Sequence, residues 1–275
     1  MQDRNPKQLE ALGLRPLSAR SVVASVLLGT HPPELPAAAL VRLCDRFGIA
    51  EGTTRVALSR MVAAGELAPV DGGYRLAGEA LLSRQRTQDE ALHPPALPWD
   101  GSWRMAVVVS GSRTAPERAD LRRALLEARF AEWREGVWLR PANLAPPADP
   151  VLAGPPCQWL TARPEDDPVG LAGRLWDLHG WRERARSLMA VTDPDPGDLL
   201  GADRSRAARV FAAAAALLRH LRTDPLLPAE LVPSPWPADQ LRERYATHLV
   251  SIQHLTRELA REDAVDDRRR RPVSG

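Results

Sequence analysis

The sequence predicts a multidomain α+β protein, and three observations carry that prediction. Between Leu35 and Leu76 two helical patterns are followed by a short hairpin; from Trp99 to Arg163 short apolar strands flank an amphipathic helix; from Asp166 onward the pattern is helical. At 275 residues the chain has room for two or three domains. The predicted boundaries are 18–88 for an N-terminal helical and hairpin domain, 99–165 for a mixed central domain and 166–262 for an all-α domain, with a disordered tail at 263–275.

The first domain is read from its punctuation. Pro36 suits a first helical turn, where its missing N–H costs nothing. Leu40, Leu43, Cys44 and Phe47 then share one helical face, and Gly48 ends that helix. A second helix runs from about Glu51 to Ala64 and closes at Gly65, with Thr54, Ala57, Leu58 and Met61 as its apolar face. Its opposite face carries Thr53, Arg55, Val56, Ser59 and Arg60. Glu66 to Val70 and Tyr74 to Leu76 flank Asp71-Gly72-Gly73, and Asp-Gly between two short apolar runs signals a hairpin. Helix, turn, helix and hairpin in this order predict a winged helix-turn-helix. Short polar groups and arginines near the N-terminal half of the second helix suit base edges and phosphates in the major groove of double-stranded DNA. The candidate DNA-contacting set is Thr53, Thr54, Arg55, Val56, Ser59 and Arg60 on the helix, with Tyr74 and Arg75 on the wing.

A proline cluster, His93-Pro94-Pro95-Ala96-Leu97-Pro98, follows as a stiff linker. Beyond it Trp103 to Val109 reads as a buried strand, Pro116 to Ala131 as an amphipathic helix, and Val137–Arg140 and Gln158–Thr161 as further strands, a pattern of ferredoxin-like type. Val169–Leu178, Trp181–Val191, Asp203–Leu221 and Pro237–Glu262 are the C-terminal helices. The charge run Asp266 to Arg271 belongs to the disordered tail.

Composition bounds the function. Hydrophobic residues make up 44% and charged residues 26%, as in an ordinary soluble protein. No run of about 18 apolar residues occurs, which excludes a transmembrane helix. Met1 to Pro16 is polar and lacks the apolar stretch of a secretory signal, so a cytoplasmic location is expected. Cys44 and Cys157, the only two cysteines, show no metal-ligand spacing. All but one of the 37 basic residues are arginine, Lys7 being the exception, a bias that the nucleotide composition of a GC-rich gene accounts for. With a net charge of +2, nucleic-acid binding has to come from local patches.

Several stretches together resemble the phenylacetic acid degradation repressors, the PaaX-type transcriptional regulators. They are Ala19-Arg20-Ser21; Gly48-Ile49 followed by Thr54 to Met61; Gly65-Glu66-Leu67; Tyr74-Arg75-Leu76; Trp99-Asp100-Gly101-Ser102-Trp103; Gly136 to Pro141; and Thr223 to Leu231 followed by Pro235-Trp236-Pro237. The resemblance implies a homodimeric repressor of a catabolic operon such as phenylacetate breakdown, bound to a palindromic operator and released by an acyl-CoA effector like phenylacetyl-CoA. It makes 166–262 the effector and dimerisation domain. This chain departs from the family pattern in having no lysine between Ser18 and Pro98, which leaves phosphate contacts to arginine, hydroxyl and backbone groups.

An acyl-CoA would need cations for its phosphates and an apolar slot for its acyl group. Arg204, Arg206 and Arg209 at the start of one helix, with Trp181, form the candidate effector set, and Trp176 and Trp236 are further candidates for the slot. The alternative for each is plain structure: solvated arginines, and tryptophan as core filler in a chain with eight Trp, three Phe and two Tyr. No catalytic, metal or cofactor set is read. The strand ending at Val109 is followed by Ser110-Gly111-Ser112-Arg113, without the carboxylate of the small CRISPR-adaptation nuclease that the central pattern resembles. Two other readings stay open: a winged-helix adaptor for protein contacts, and a metal-dependent nuclease.

Overall fold

The computed structural model describes residues 17–94, 96–109, 114–146, 152, 157–165 and 167–270. Helices and two small antiparallel sheets divide into two compact units, one formed by Met1–Gln88, Arg184–Arg222 and Ala238–Gly275, the other by Asp89–Glu183 and Thr223–Pro237. The segment 166–262, expected as one helical domain, is shared between them.

The first unit opens with α1 (Ala19–Leu28), started by a capping box in which the Ser18 hydroxyl accepts from the Ser21 amide and the Ser21 hydroxyl accepts from the Ser18 amide. Strand β1 (Glu34–Pro36), α2 (Ala37–Arg46), α3 (Glu51–Ala63), β2 (Leu67–Val70), β3 (Gly73–Leu76) and α4 (Glu79–Leu92) follow. The strands pair antiparallel in the order β1-β3-β2, so the element order is the one expected for a winged helix. Strand β1 is not among the expected elements: three residues show no alternation, and Pro36 ends the strand and caps α2 instead of entering its first turn. Gly73 makes that third strand possible, because a Cβ there would lie 2.3 Å from the Leu35 carbonyl oxygen.

Both helices of the central pair stop in the same way. At the end of α2, Ile49 N–H reaches the Cys44 carbonyl (2.9 Å) and Gly48 the Asp45 carbonyl (2.9 Å), with Gly48 at φ +81°. Glu66 and Gly65 repeat this on Met61 and Val62 at the end of α3. These closures set the turn angles that aim α3.

The core of this unit joins Val22, Val23 and Leu27 of α1, Leu40, Leu43 and Phe47 in or beside α2, and Leu58 and Met61 of α3. Two C-terminal helices, α8 (Arg204–Leu221) and α9 (Ala238–Arg270), pack on α2. Phe47 meets Phe211 with ring centroids 4.7 Å apart. The Arg46 guanidinium donates to the carbonyls of Leu199, Leu200 and Ala202 at 2.6–2.9 Å. Arg42 donates to the Leu259 carbonyl, and Gln253 to that of Gly29 at 3.0 Å. Helix α9 continues through Arg270, past its expected end at Glu262 and into the segment expected to be disordered; residues 271–275 lie outside the described residues.

His248 on α9 is fully buried. Its Nδ1 lies 2.9 Å from the Arg244 carbonyl, which can only accept, so the neutral ring donates there and Nε2 keeps a lone pair with no hydrogen-bond partner among the described residues. Burial, the largest cause, holds its pKa below 6.5. An unfolded histidine then binds a proton more readily than the folded one, so its contribution to stability is intact above about pH 6.5 and declines as pH falls below it. The thermal midpoint is expected to fall between pH 7 and pH 5.5, and less steeply in a His248→Leu variant; equal slopes would show that His248 does not carry the pH dependence.

In the second unit β4 (Trp103–Val108), α5 (Ala115–Glu127), β5 (Ala131–Arg134), β6 (Val137–Pro141) and β7 (Cys157–Ala162) precede α6 (Pro168–Leu175) and the first turns of α7 (Leu178–Val191). The sheet order is β5-β6-β4-β7, all antiparallel, with β5 added to the three strands expected; residues 147–151 and 153–156, before β7, are outside the described residues. Strand β5 begins at Ala131, the residue to which the amphipathic pattern extends the preceding helix. Helix α5 ends earlier, at Glu127, because Arg129 takes φ +66° and Phe130 N–H turns back to the Leu125 carbonyl (2.9 Å). The two sheet faces bury different clusters. Ala106 and Trp138 pack with Leu121, Leu125 and Phe130 on one, and Trp103 and Leu139 with Leu171, Leu178 and Leu231 on the other.

The motif Trp99 to Trp103 is the turn that enters β4. Asp100 accepts from the Ser102 amide (2.9 Å) and hydroxyl, Gly101 takes φ +87°, and the Trp99 indole donates to the Ser102 carbonyl (2.6 Å). Arg140, 3% exposed over the Phe130 ring, donates to the carbonyls of Ala128, Leu144 and Ala145; burial pulls its pKa down to about 10, so it stays charged at neutral pH. No helix of the described residues is long and apolar enough to cross a membrane.

Candidate nucleic-acid interface

Helix α3 separates anchor from display. Leu58 and Met61 are buried, and Thr54 is fully buried with them, its hydroxyl 3.3 Å from the Ala50 carbonyl and bonded to the Cys44 thiol. Thr54 therefore leaves the DNA-contacting set: its side chain faces the helix pair, where the i, i+4 spacing to Leu58 puts it. Burial pushes the Cys44 thiol up to about 11, so it is protonated at neutral pH. On the other side Thr53, Arg55, Val56, Ser59 and Arg60 are all exposed. Val56 is 51% exposed, an apolar group offered to solvent from the middle of the polar face.

Two of the arginines are held by carboxylates. Arg55 donates through Nε (2.8 Å) and Nη2 (2.7 Å) to the same oxygen of Glu51, one turn earlier on α3. Glu51 itself sits in the first turn, where the helix dipole favours a negative charge. On the hairpin, Arg75 of β3 lies directly across from Glu34 of β1, with Nε 3.2 Å from the carboxylate. Both pairs are exposed and each stabilises the fold by only a few tenths of a kcal/mol, about the median for surface pairs. Arg60 has no ion pair among the described residues. Tyr74 is half-buried, facing Leu35 and Pro69 across the sheet, and the turn at Asp71-Gly72 puts Gly72 at φ +67°.

A third pair ties α1 to the end of α3. Arg20 donates through two nitrogens to Glu66, and that hydrogen bonding, the largest cause, lowers the Glu66 pKa and raises that of Arg20. None of these glutamates is among the site residues expected from the sequence. The Glu51/Arg55 spacing of four is a usable signal. Glu34/Arg75 is not, because it depends on β1.

The candidate effector residues belong to different units, three arginines to the first and Trp181 to the second. Arg204 pairs with Asp45 at 2.7 Å, and Arg206 donates to the Pro196 carbonyl at 3.0 Å. Arg209 is exposed beside them on α8. Trp181 belongs to the second unit, where it is 8% exposed, stacks on Trp236 with centroids 4.4 Å apart, and donates to the Thr223 hydroxyl. The segment Ser110 to Arg113, which bears on nuclease chemistry, lies outside the described residues.

A family model described as PaaX-like protein matches residues 18–80, and one described as PaaX protein central Cas2-like domain matches residues 96–156. A solved structure, the uncharacterized protein Rv0674 from Mycobacterium tuberculosis, is 45% identical; the match covers 88% of this chain and 98% of that one, with a TM-score of 0.70. The chain belongs to the PaaX-like family. Family membership points to a DNA-binding transcriptional regulator rather than an enzyme, and the first match spans the whole helix pair and its hairpin. No curated protein matches the chain.

Proposed function

We propose that this PaaX-like protein is a winged helix-turn-helix repressor of a catabolic operon, reading a palindromic operator as a cytoplasmic homodimer. The observation that carries the reading is the display on α3: Thr53, Arg55, Val56, Ser59 and Arg60 face solvent while Thr54, Leu58 and Met61 anchor the helix. Hydroxyls and arginines suit phosphates and guanine edges, and Val56 suits a thymine methyl. Arg75 and Tyr74 on the hairpin would lie along the backbone or in the minor groove. One such helix reads too few base pairs for useful specificity, which supports two copies on a two-fold operator. Residues 18–88 make up the reading head and 99–165 a ferredoxin-like central domain; effector binding and dimerisation fall to 166–262.

The effector class carried by this reading is an acyl-CoA thioester, acting by favouring a dimer whose two reading heads no longer match the operator spacing. Arg204, Arg206 and Arg209 on α8 remain candidates for its phosphates, and Trp181 is a separate candidate for its acyl group. One titration tests both parts. The full-length protein should shift the DNA fragment upstream of its own gene at nanomolar concentration with steep salt dependence. Phenylacetyl-CoA and related thioesters, added next, should release it. No shift at any salt would return the protein to the adaptor reading, whereas a shift that no thioester reverses would remove the effector class alone.

A further inference from the structure

We infer that Glu51 and Glu34 are specificity residues of the reading head, masking Arg55 and Arg75 so that random DNA is bound weakly. The inference rests on the DNA-binding reading of α3 and the hairpin. Of the three arginines on those two elements proposed to face DNA, two are neutralised in the free protein and only Arg60 stands without an ion pair among the described residues. The pairs are local and self-contained. Glu51 and Arg55 are one helical turn apart, and Glu34 and Arg75 are directly opposed across two strands. Neither glutamate is needed elsewhere, since both side chains are well exposed and no other ion pair is found for them among the described residues.

Non-specific affinity comes almost entirely from cations replacing counterions along the phosphate backbone. An arginine already bound to a carboxylate brings no net charge to that exchange, and its glutamate repels the same phosphates. A correct site offers more: a guanine edge accepts both guanidinium hydrogens in plane, and a cytosine amino group donates to a carboxylate left beside it. The masked pair therefore opens at little loss on the right bases and at a net loss on the wrong ones. The chain's near-neutral overall charge fits the same logic, because no global basic field holds it on arbitrary DNA.

The test uses full-length Glu51→Gln and Glu34→Gln, which keep side-chain size and hydrogen bonding and lose the charge. Glu258→Gln on α9, whose glutamate pairs with Arg261, changes net charge equally and is the control. Affinity is measured by fluorescence anisotropy over a range of salt, on sheared genomic DNA of random sequence and on the upstream fragment. Each reading-head variant is expected to bind random DNA several-fold more tightly than wild type. Its log affinity should fall more steeply with log salt, by about one unit per arginine released. The ratio of specific to random affinity should drop, and Glu258→Gln should match wild type. Random-DNA affinity and slope unchanged in both variants, or moved equally by the control, would overturn the inference. Wild type failing to bind any duplex would overturn the DNA-binding reading along with it.

Discussion

A fragment ending at His93 is expected to lose cooperative unfolding and to bind a hydrophobic dye at room temperature. A winged helix is usually pictured as a module that folds alone, and the sequence pattern places its boundary at residue 88. In the structure, α2 packs against α8 and α9, Phe47 meets Phe211 of α8, and the two helices also carry the buried Leu217, Leu221, Leu255 and Leu259. A buried Leu or Phe stabilises by about 1.5–3 kcal/mol, so losing the cover over α2 alone removes an amount comparable with the roughly 5–15 kcal/mol of a whole domain. Truncation also deprives Arg46 of its three carbonyl partners and Arg42 of one, leaving cations beside an uncovered apolar face. Circular dichroism during heating decides the point. A sharp transition in the fragment, near that of the full chain, would show that the reading head is autonomous.

Arg60→Ala is expected to weaken binding to the upstream fragment by about 1–3 kcal/mol if its contact is bidentate to guanine, or roughly five- to 150-fold. Arg55→Ala is expected to cost at least as much, for a reason that lies in the free protein. Removing this guanidinium deletes a contact and also leaves the Glu51 carboxylate facing DNA without its partner. Glu51→Gln introduced into the Arg55→Ala background should therefore recover part of the loss, whereas it should not rescue Arg60→Ala. Such non-additivity is the mark of groups acting as a pair. Unchanged affinity in both single variants would sink the assignment of α3 as the recognition helix, because these are the two arginines it displays.

Much of this site is legible in the amino-acid sequence. The apolar spacing through Leu40, Leu43 and Phe47 and through Leu58 and Met61 defines two helices and their faces, and Gly48 and Gly65 mark their ends where left-handed residues are required. Asp71-Gly72 marks the hairpin. Thr54 is misassigned to the DNA-contacting set because a threonine reads as polar on a helix, while its i, i+4 relation to Leu58 places it in the core, where Ala50 and Cys44 satisfy its hydroxyl. Strand β1 escapes because three residues ending in proline carry no periodic signal. Helices α8 and α9 are predicted, but not their packing on α2: periodicity gives an apolar face and never says which partner covers it. The same limit explains Trp181, whose neighbour Trp236 lies far along the chain and meets it only after folding.

The most direct test of α3 as the surface that meets DNA is a site-specific crosslink from that helix. Cys44 and Cys157 are both buried, and the Cys44 thiol is further quieted by its raised pKa, so one exposed cysteine can be labelled selectively. A photoreactive group on Ser59→Cys, in the middle of the displayed face, is compared with the same group on Arg118→Cys in α5, using the upstream fragment as target. Strong crosslinking to DNA is expected from position 59, competed by unlabelled upstream fragment and weakly by random duplex, with little from position 118. Crosslinking from 118 but not 59, or equal yields from both, would contradict the assignment of α3 as the DNA-reading surface.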